Sequence, residues 1–435
     1  MAHVIIFFSS RYEVFAMKTN IKNLFVTFIL LHLSFFSAFS MRISEISPAC
    51  CSVEDFNSFK STLLKEQIAG IESVGAHKVD VTTSYGRISV TEPVLQELFF
   101  SYALLRTKDI HQYGFVRYIH PEVEEYSRYV HSVNVWALLR LCNASIEEQI
   151  AGLLHDVSHT AFSHVGDYVY AGKAQEGKAY QDFIHKNFLQ EMGVEDILKR
   201  HNYKLEDLDQ AFHMLEQRSP HLCADRIEYT LYAGKLNIDP EANKPFLSNS
   251  DVESIVWSLH FDTQTRRWYF DSIQKAYKFA RVSLYTTEHV VGAAWNHIVY
   301  NWMADAVIEA FKCGELSEHS FKYSYDKEIW NTLRLSKNPI ISQSIEKIMT
   351  YPTCFKLCSE KEDCDCIVHT KFRGINPLVR VEGRNGTTSY KLLTEVHSAY
   401  KKEYIRVEKL IKNGWRVKFI GKCAQEPQNI RDVIS

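Results

Sequence analysis

"IAGLLHDVSHTAFSHV", Ile150–Val165, sets three histidines and an aspartate (His155, Asp156, His159 and His164) among apolar neighbours. Burying ionisable groups is costly unless each has a partner. A bound metal, a hydrogen-bond network, or a segment that is not buried would each account for them. The apolar spacing predicts a helix through the pair, which makes the side chains of His155 and Asp156 diverge by about a hundred degrees. They can share one ion only if other helices bring further ligands. His131, in "SRYVHSVNVW", and Asp225, in "HLCADRIEYTLY", stand in helical segments before and after. A His-His-Asp-Asp set suits a divalent ion such as Mn²⁺, Mg²⁺, Fe²⁺, Ni²⁺ or Zn²⁺. It leaves positions for water and a phosphate oxygen. Taken singly, each residue has a plainer reading. His131 is then a packed histidine, His155 with Asp156 a hydrogen-bonded pair, and Asp225 a helix cap or a partner of Arg226.

The surrounding chain is that of a globular, mainly helical protein. Of 435 residues 46% are hydrophobic and 23% charged, enough for a substantial core. Lys plus Arg is 50 against 52 for Asp plus Glu, so global charge indicates neither nucleic acid nor an anionic membrane as partner. Only 17 Gly and 10 Pro interrupt it.

Residues 1–40 read as a signal peptide or N-terminal anchor. Lys18 and Lys22 precede the apolar run Leu24–Phe39, and small residues Ala38 and Ser40 follow before Met41. Export, periplasmic or secreted, is the expectation, with a mature start near Met41. A cytoplasmic protein is the alternative, and a membrane association requires an uncleaved segment. Ten cysteines accompany this, four of them clustered at Cys354, Cys358, Cys364 and Cys366 in "CFKLCSEKEDCDC". In an exported protein these form two disulfides; with His369 they make a zinc site the second choice, and free thiols the third.

Residues 41–95 make an N-terminal segment with a helical pattern around Val53–Val74. Within it, "HKVDVTTSYGRISV" alternates like a strand pair turning at Tyr85-Gly86. Residues 96–319 form the helical body, which ends in a helix stop at Gly314. Residues 320–435 read as an α+β appendage, with a basic amphipathic helix over Thr394–Asn413 and a last strand in "GWRVKFIGK". Its Lys and Arg side chains could meet phosphate or an oligomer partner, but a solvated face is the default.

The flanks of the four candidate ligands carry a resemblance. "SRYVHS" resembles the SRFxHS segment, "IAGLLHDVSHTAFSH" resembles IAxLxHDxGHGPFSH, and "RTKDIHQYG" resembles RLRxIxQLG, all of the HD superfamily of metal-dependent phosphohydrolases. They point to its dNTP triphosphohydrolase branch, which includes enzymes with SAM and HD domains, although no SAM domain is evident here. The resemblance covers about residues 80–235 well and thins towards 315. It implies a mainly α, HD-type helical bundle. His131, His155, Asp156 and Asp225 would hold the metal, and His159, His164 and Asp167 would act in catalysis or on phosphate. Gln112, Arg128 and Arg281 would bind substrate. A second-shell network is the alternative for the middle group, and surface ion pairing for the last. The helical reading puts His159 on the same helix face as His155.

Departures from the family pattern temper the finer reading. HGP becomes "HTA" at His159–Ala161, a downstream His-Glu pair becomes Gln175-Glu176, and a sugar-reading Asp aligns near Ala233. The DPxHG segment of nucleotide-activated relatives is "TTSYG" at Thr82–Gly86, and a Gln of that site is Leu105. The expectation is therefore a phosphohydrolase of nucleotides, including triphosphate release from dNTPs, active without GTP and plausibly homo-oligomeric. A phosphohydrolase of another phosphoester and a non-catalytic metal-containing binding protein are the alternatives.

Overall fold

The computed structural model describes residues 71–73, 78–121, 125–173, 179–383, 385–425 and 430. Residues 1–40, for which a signal peptide or anchor was expected, lie outside them, as do Cys50, Cys51 and Gln175-Glu176. Among the described residues no helix is long and apolar enough to cross a membrane.

The chain opens with a small antiparallel sheet of β1 (Ile71–Ser73), β2 (Val79–Thr83) and β3 (Gly86–Val90). Ile71–Ser73 falls where a helical pattern was expected; it pairs instead with β2, Ile71 opposite Val81. Helices α1 (Pro93–Phe99) and α2 (Tyr102–Arg106) lead to the long α3 (Arg128–Leu141) and α4 (Ile146–Leu154). Ser127 caps α3 through Val130 N–H and Ser145 caps α4 through Glu148 N–H, which satisfies backbone donors that each helix leaves free. Next come α5 (Val165–Val169), α6 (Tyr180–Glu191), α7 (Ala224–Leu236), α8 (Ile273–Thr286) and α9 (Ala294–Cys313). A π-turn over Thr287–Val291 divides α8 from α9, and Gly314, at φ 78°, stops α9 where the sequence indicated. Helices α10 (Asp326–Leu335) and α11 (Pro339–Met349) complete the body, and α12 (Ser398–Asn413) lies near the end.

The fold is mainly α, and residues after 320 form the expected α+β part, one of whose sheets continues into the body. β4 (Leu259–Asp262) and β5 (Arg267–Phe270) belong to the body. β5 pairs in parallel with β8 (Leu378–Glu382), which pairs with β9 (Thr388–Leu392), giving the sheet order β9-β8-β5-β4. A separate sheet of β6 (Phe355–Leu357), β7 (Cys366–Val368) and β10 (Trp415–Phe419) places β10 in the middle.

Two apolar cores carry the fold. One joins α9 and α11 to Phe162, Val165, Val368 and Val417. The other joins Val135, Leu138 and Leu139 of α3 to α7, α8, Val379, Tyr400 and Ile411. The expected disulfides are not formed between Cys354, Cys358, Cys364 and Cys366. Nor, among the described residues, do these four sulfur atoms gather with His369 as a metal-binding group. Cys354 is buried with its sulfur near Thr350 Oγ1, whereas Cys366 lies on β7.

The polar turn after α4 is fixed from both directions in sequence. The buried guanidinium of Arg106 donates to the carbonyls of His159 (3.0 Å), Lys322 (2.9 Å) and Tyr323 (2.8 Å). Asp326, fully buried at the start of α10, accepts from the backbone N–H of Phe162 at 2.7 Å and of His111 at 2.9 Å. Gly114 sits at φ 55° against this turn; a Cβ there would stand 2.5 Å from the carbonyl oxygen of Phe162. Replacing Asp326 by Ala strands two buried donors, so D326A should lower stability in urea by about 2–4 kcal/mol, and D326N by less.

Candidate functional site

The HD pair does not lie within a helix. α4 ends at Leu154, His155 is its C-cap, and residues 155–164 run as successive turns, with Phe162 and Ser163 at φ 60° and 55°. The expectation that His159 shares a helix face with His155 is corrected accordingly. The turn brings both residues, with His159, to the end of α4, where the helix dipole is negative and favours a cation. α3 supplies His131 from its first turns, and α7 supplies Asp225 from its N-terminus.

The four predicted ligands converge. His131 Nε2 lies 3.1 Å from His155 Nε2, 3.0 Å from Asp225 Oδ1 and 3.5 Å from Asp156 Oδ2. His155 Nε2 lies 3.6 Å from Asp156 Oδ1 and 3.7 Å from Asp225 Oδ1. Donors about 2.1 Å from an ion and at right angles would stand about 3.0 Å apart, so the spacing fits one metal. Orientation fits as well. His155 Nδ1 meets the carbonyl of Gly152 at 2.8 Å, and His131 Nδ1 meets the Glu228 carboxylate. Each ring is thereby set to present Nε2 to the cluster.

Electrostatics keep the carboxylates ionised. Burial alone would raise Asp156, but Arg128, whose Nη1 donates to Oδ2 at 2.6 Å, holds it well below the usual carboxylate range. Burial likewise opposes charge on Asp225, and His131 and His155 outweigh it, drawing its pKa down. His131 itself is pulled both ways: burial disfavours its cation, yet Glu228, Asp225 and Asp156 raise it to about 10. A metal entering the cluster therefore displaces a proton.

Beside the ligands stand the other predicted residues. His159 is fully enclosed, and burial together with Arg128 pushes its pKa down to about 3. Its Nε2 is 3.3 Å from Asp156 Oδ1 but outside hydrogen-bond geometry, a buried polar atom without a bonded partner. The His164 ring stands edge-on to it at 4.9 Å, and His164 Nδ1 lies 3.0 Å from Asp167 Oδ2. The backbone N–H of Tyr180 anchors Asp167 Oδ1 at 2.7 Å. Arg128, buried, also donates to Ser163 Oγ and the Gln112 carbonyl. The Gln112 side-chain oxygen is buried and unbonded. Arg281 is the exception. It pairs with Asp239 at 3.3 Å and Glu241 at 3.0 Å, in keeping with the surface ion-pair reading rather than a phosphate contact.

The HD domain signature matches residues 128–242, a range that includes His131, His155, Asp156 and Asp225. The uncharacterized protein YdhJ of Bacillus subtilis is 35% identical over 264 residues, covering 58% of this chain and 74% of its own. The chain belongs to the HD-domain family. The metal-dependent phosphohydrolase cns2 of Cordyceps militaris is 29% identical over 334 residues, 74% of this chain and 90% of that protein. Two solved structures share the HD fold. A phosphohydrolase from Bacteroides thetaiotaomicron has a TM-score of 0.57 at 15% identity, over 78% of this chain and 98% of its own. A hypothetical protein from Aquifex aeolicus has 0.53 at 16%, over 79% and 96%. These relations support a hydrolase that works with a divalent metal.

Residues that the sequence reading passed over hold the HD site together. Glu228, 1% exposed, accepts from His131, from Tyr126 Oη, and from Asn134 Nδ2 at 2.9 Å. Its position three residues after Asp225, on one face of α7, was the available signal. Replacing Glu228 by Gln should keep the fold but weaken metal affinity about 10- to 100-fold, as read by competition with a chelating dye. An unchanged affinity would show that His131 needs no such anchor.

Proposed function

We propose that the protein is a metal-dependent phosphohydrolase acting on nucleotides. The observation that carries this is the four-residue cluster flanked by His159 and the His164–Asp167 pair; a cavity of about 810 Å³ has Glu216 in its lining, within 4.8 Å of Asp225. That volume is in the range of small-molecule sites. Phe212, Tyr229 and Phe372 line it and offer faces to a base.

A divalent ion held by His131, His155, Asp156 and Asp225 would supply Lewis acidity towards a phosphoryl oxygen. The protein's own groups do the rest. Arg128 keeps Asp156 ionised and ready to bind. His159, neutral and facing the cluster, orients the attacking water or donates to a developing phosphate oxygen. His164, bonded to Asp167 and edge-on to His159, is placed to contact a substrate phosphate. Replacing His159 by Ala should lower kcat about 10²- to 10⁴-fold while metal content stays near one ion per chain. Elemental analysis alongside a phosphate and triphosphate release screen over dNTPs, NTPs and monophosphates checks both. Bound metal together with absence of hydrolysis would leave the alternative of a non-catalytic metal-containing binding protein.

A second reading, a phosphohydrolase that does not read the sugar 3′-hydroxyl, is favoured by Ala233. This residue sits in the α7 core at 1% exposure and has no polar atom to offer a sugar. Intact triphosphate as product would favour the dNTP reaction, and orthophosphate the other.

Activity should not require GTP. Thr82–Gly86 closes the β2–β3 turn, Ser84 N–H donates to Asn134 Oδ1 at 2.9 Å, and Leu105 is buried at 1%. Initial rates and light scattering should be the same with and without GTP; a joint rise in rate and mass would contradict this.

A further inference from the structure

The cavity beside the metal cluster has a pronounced charge. Arg218, Arg226, Arg267, Lys371 and Arg373 line it, against Glu216 as the acidic member. Its wall reaches the cluster: ligand atoms of Glu216, Cys223 and Asp225 lie within 4.8 Å of one another, and Arg226 follows Asp225 on α7. Arg226 is committed, donating to the carbonyls of His221 and Gln217. Lys371 and Arg373 are not. Among the described residues neither side chain makes a hydrogen bond or ion pair with the protein, and Lys371 is exposed. Arg267 likewise has a buried Nη1 with no bonded partner.

Such an arrangement is unfavourable without a counter-ion. Arg226, Lys371 and Arg373 are like charges on one cavity wall, and like charges repel. Lys371 and Arg373 share the cavity lining with Glu216 and Arg226, and it is through Glu216 that this wall comes within reach of Asp225. The segment carrying both residues is fixed to the body. Ser283 Oγ on α8 donates to the Arg373 carbonyl at 3.1 Å, and Asn376 N–H donates to the Pro220 carbonyl at 3.0 Å.

We propose that Lys371 and Arg373, from the connection between β7 and β8, bind the phosphate chain of the substrate beyond the phosphorus at the metal, so that polyphosphorylated compounds are preferred over monoesters. Guanidinium and ammonium groups are matched to phosphate oxygens, and each charge-assisted bond is worth about ten- to a hundredfold in affinity. The proposal rests on the phosphohydrolase reading above and extends it to the length of the phosphate chain.

The test uses the full chain with Lys371→Ala and Arg373→Ala, singly and together, and Lys371→Arg as the conservative variant. Inorganic tripolyphosphate is the probe for the metal-free protein, by calorimetry with orthophosphate as control. The double variant should bind tripolyphosphate at least about tenfold more weakly, with orthophosphate little changed, and K371R should recover most of the loss. In the metal-loaded enzyme KM for a nucleoside triphosphate should rise by a similar factor. There kcat should be nearly constant, with metal content and circular dichroism unaltered. If tripolyphosphate does not bind the parent protein, or binding and KM are the same in the double variant, the proposal is overturned while the phosphohydrolase reading stands. If binding depends on Lys371 and Arg373 but no phosphoester is hydrolysed, the anion site stands and the phosphohydrolase reading falls.

Discussion

Everything at the centre of this protein depends on one buried carboxylate. Glu228 collects a ring nitrogen of His131, the hydroxyl of Tyr126 and the amide of Asn134, and is almost wholly shielded from water. An isolated charge in that position would be untenable, and three donors make it tolerable. The result is a histidine with no freedom to rotate, set on a helix capped by Ser127. Tyr126 is held in turn by stacking on Tyr232, one helical turn beyond Glu228, with ring centroids 3.6 Å apart. α3 and α7 are thus locked to each other through the group that aims the metal ligand.

The second half of the site has a different support. His155, Asp156 and His159 lie on a turn with no repeating hydrogen bonds of its own, so its shape is imposed by neighbours. Arg106 and Asp326 do this with contacts to backbone rather than to side chains. A guanidinium that gathers several carbonyls and a carboxylate that gathers two N–H groups satisfy backbone polarity that a helix would have satisfied internally. The arrangement leaves His159 Nε2 beside Asp156 without a hydrogen bond to the frame.

The sequence made part of this legible, for definite reasons. His131, His155, Asp156 and Asp225 stand within local flanks whose pattern is specific, and the structure brings them together. The helical body, the β2–β3 pair and the Gly314 stop followed from apolar period and turn residues. Glu228, Arg106 and Asp326 were missed because their partners are distant in the chain or are backbone atoms, which leave no motif. The end of α4 was misread because apolar spacing runs on through Val157 without a glycine to mark the stop. Arg281, named where the resemblance thins, is ion-paired with Asp239 and Glu241, and the clustered cysteines were misread because spacing alone does not say which sulfur atoms can meet.

The pairing of β5 with β8 bears on how the protein is made. Leu378 meets Tyr269 across about a hundred intervening positions, and Asp326 and Arg373 come from the same late part of the chain. Such contacts close large loops, so they form after the local helices and cost entropy when they do. During synthesis α3, α4 and α7 emerge first, with all four metal ligands in hand but the turn around His159 still without Asp326. A nascent chain can therefore gather its metal ligands before it has a finished reaction centre. Along the chain the candidate ligands come first, Asp326, which fixes the turn, next, and the basic residues Lys371 and Arg373 of the cavity last.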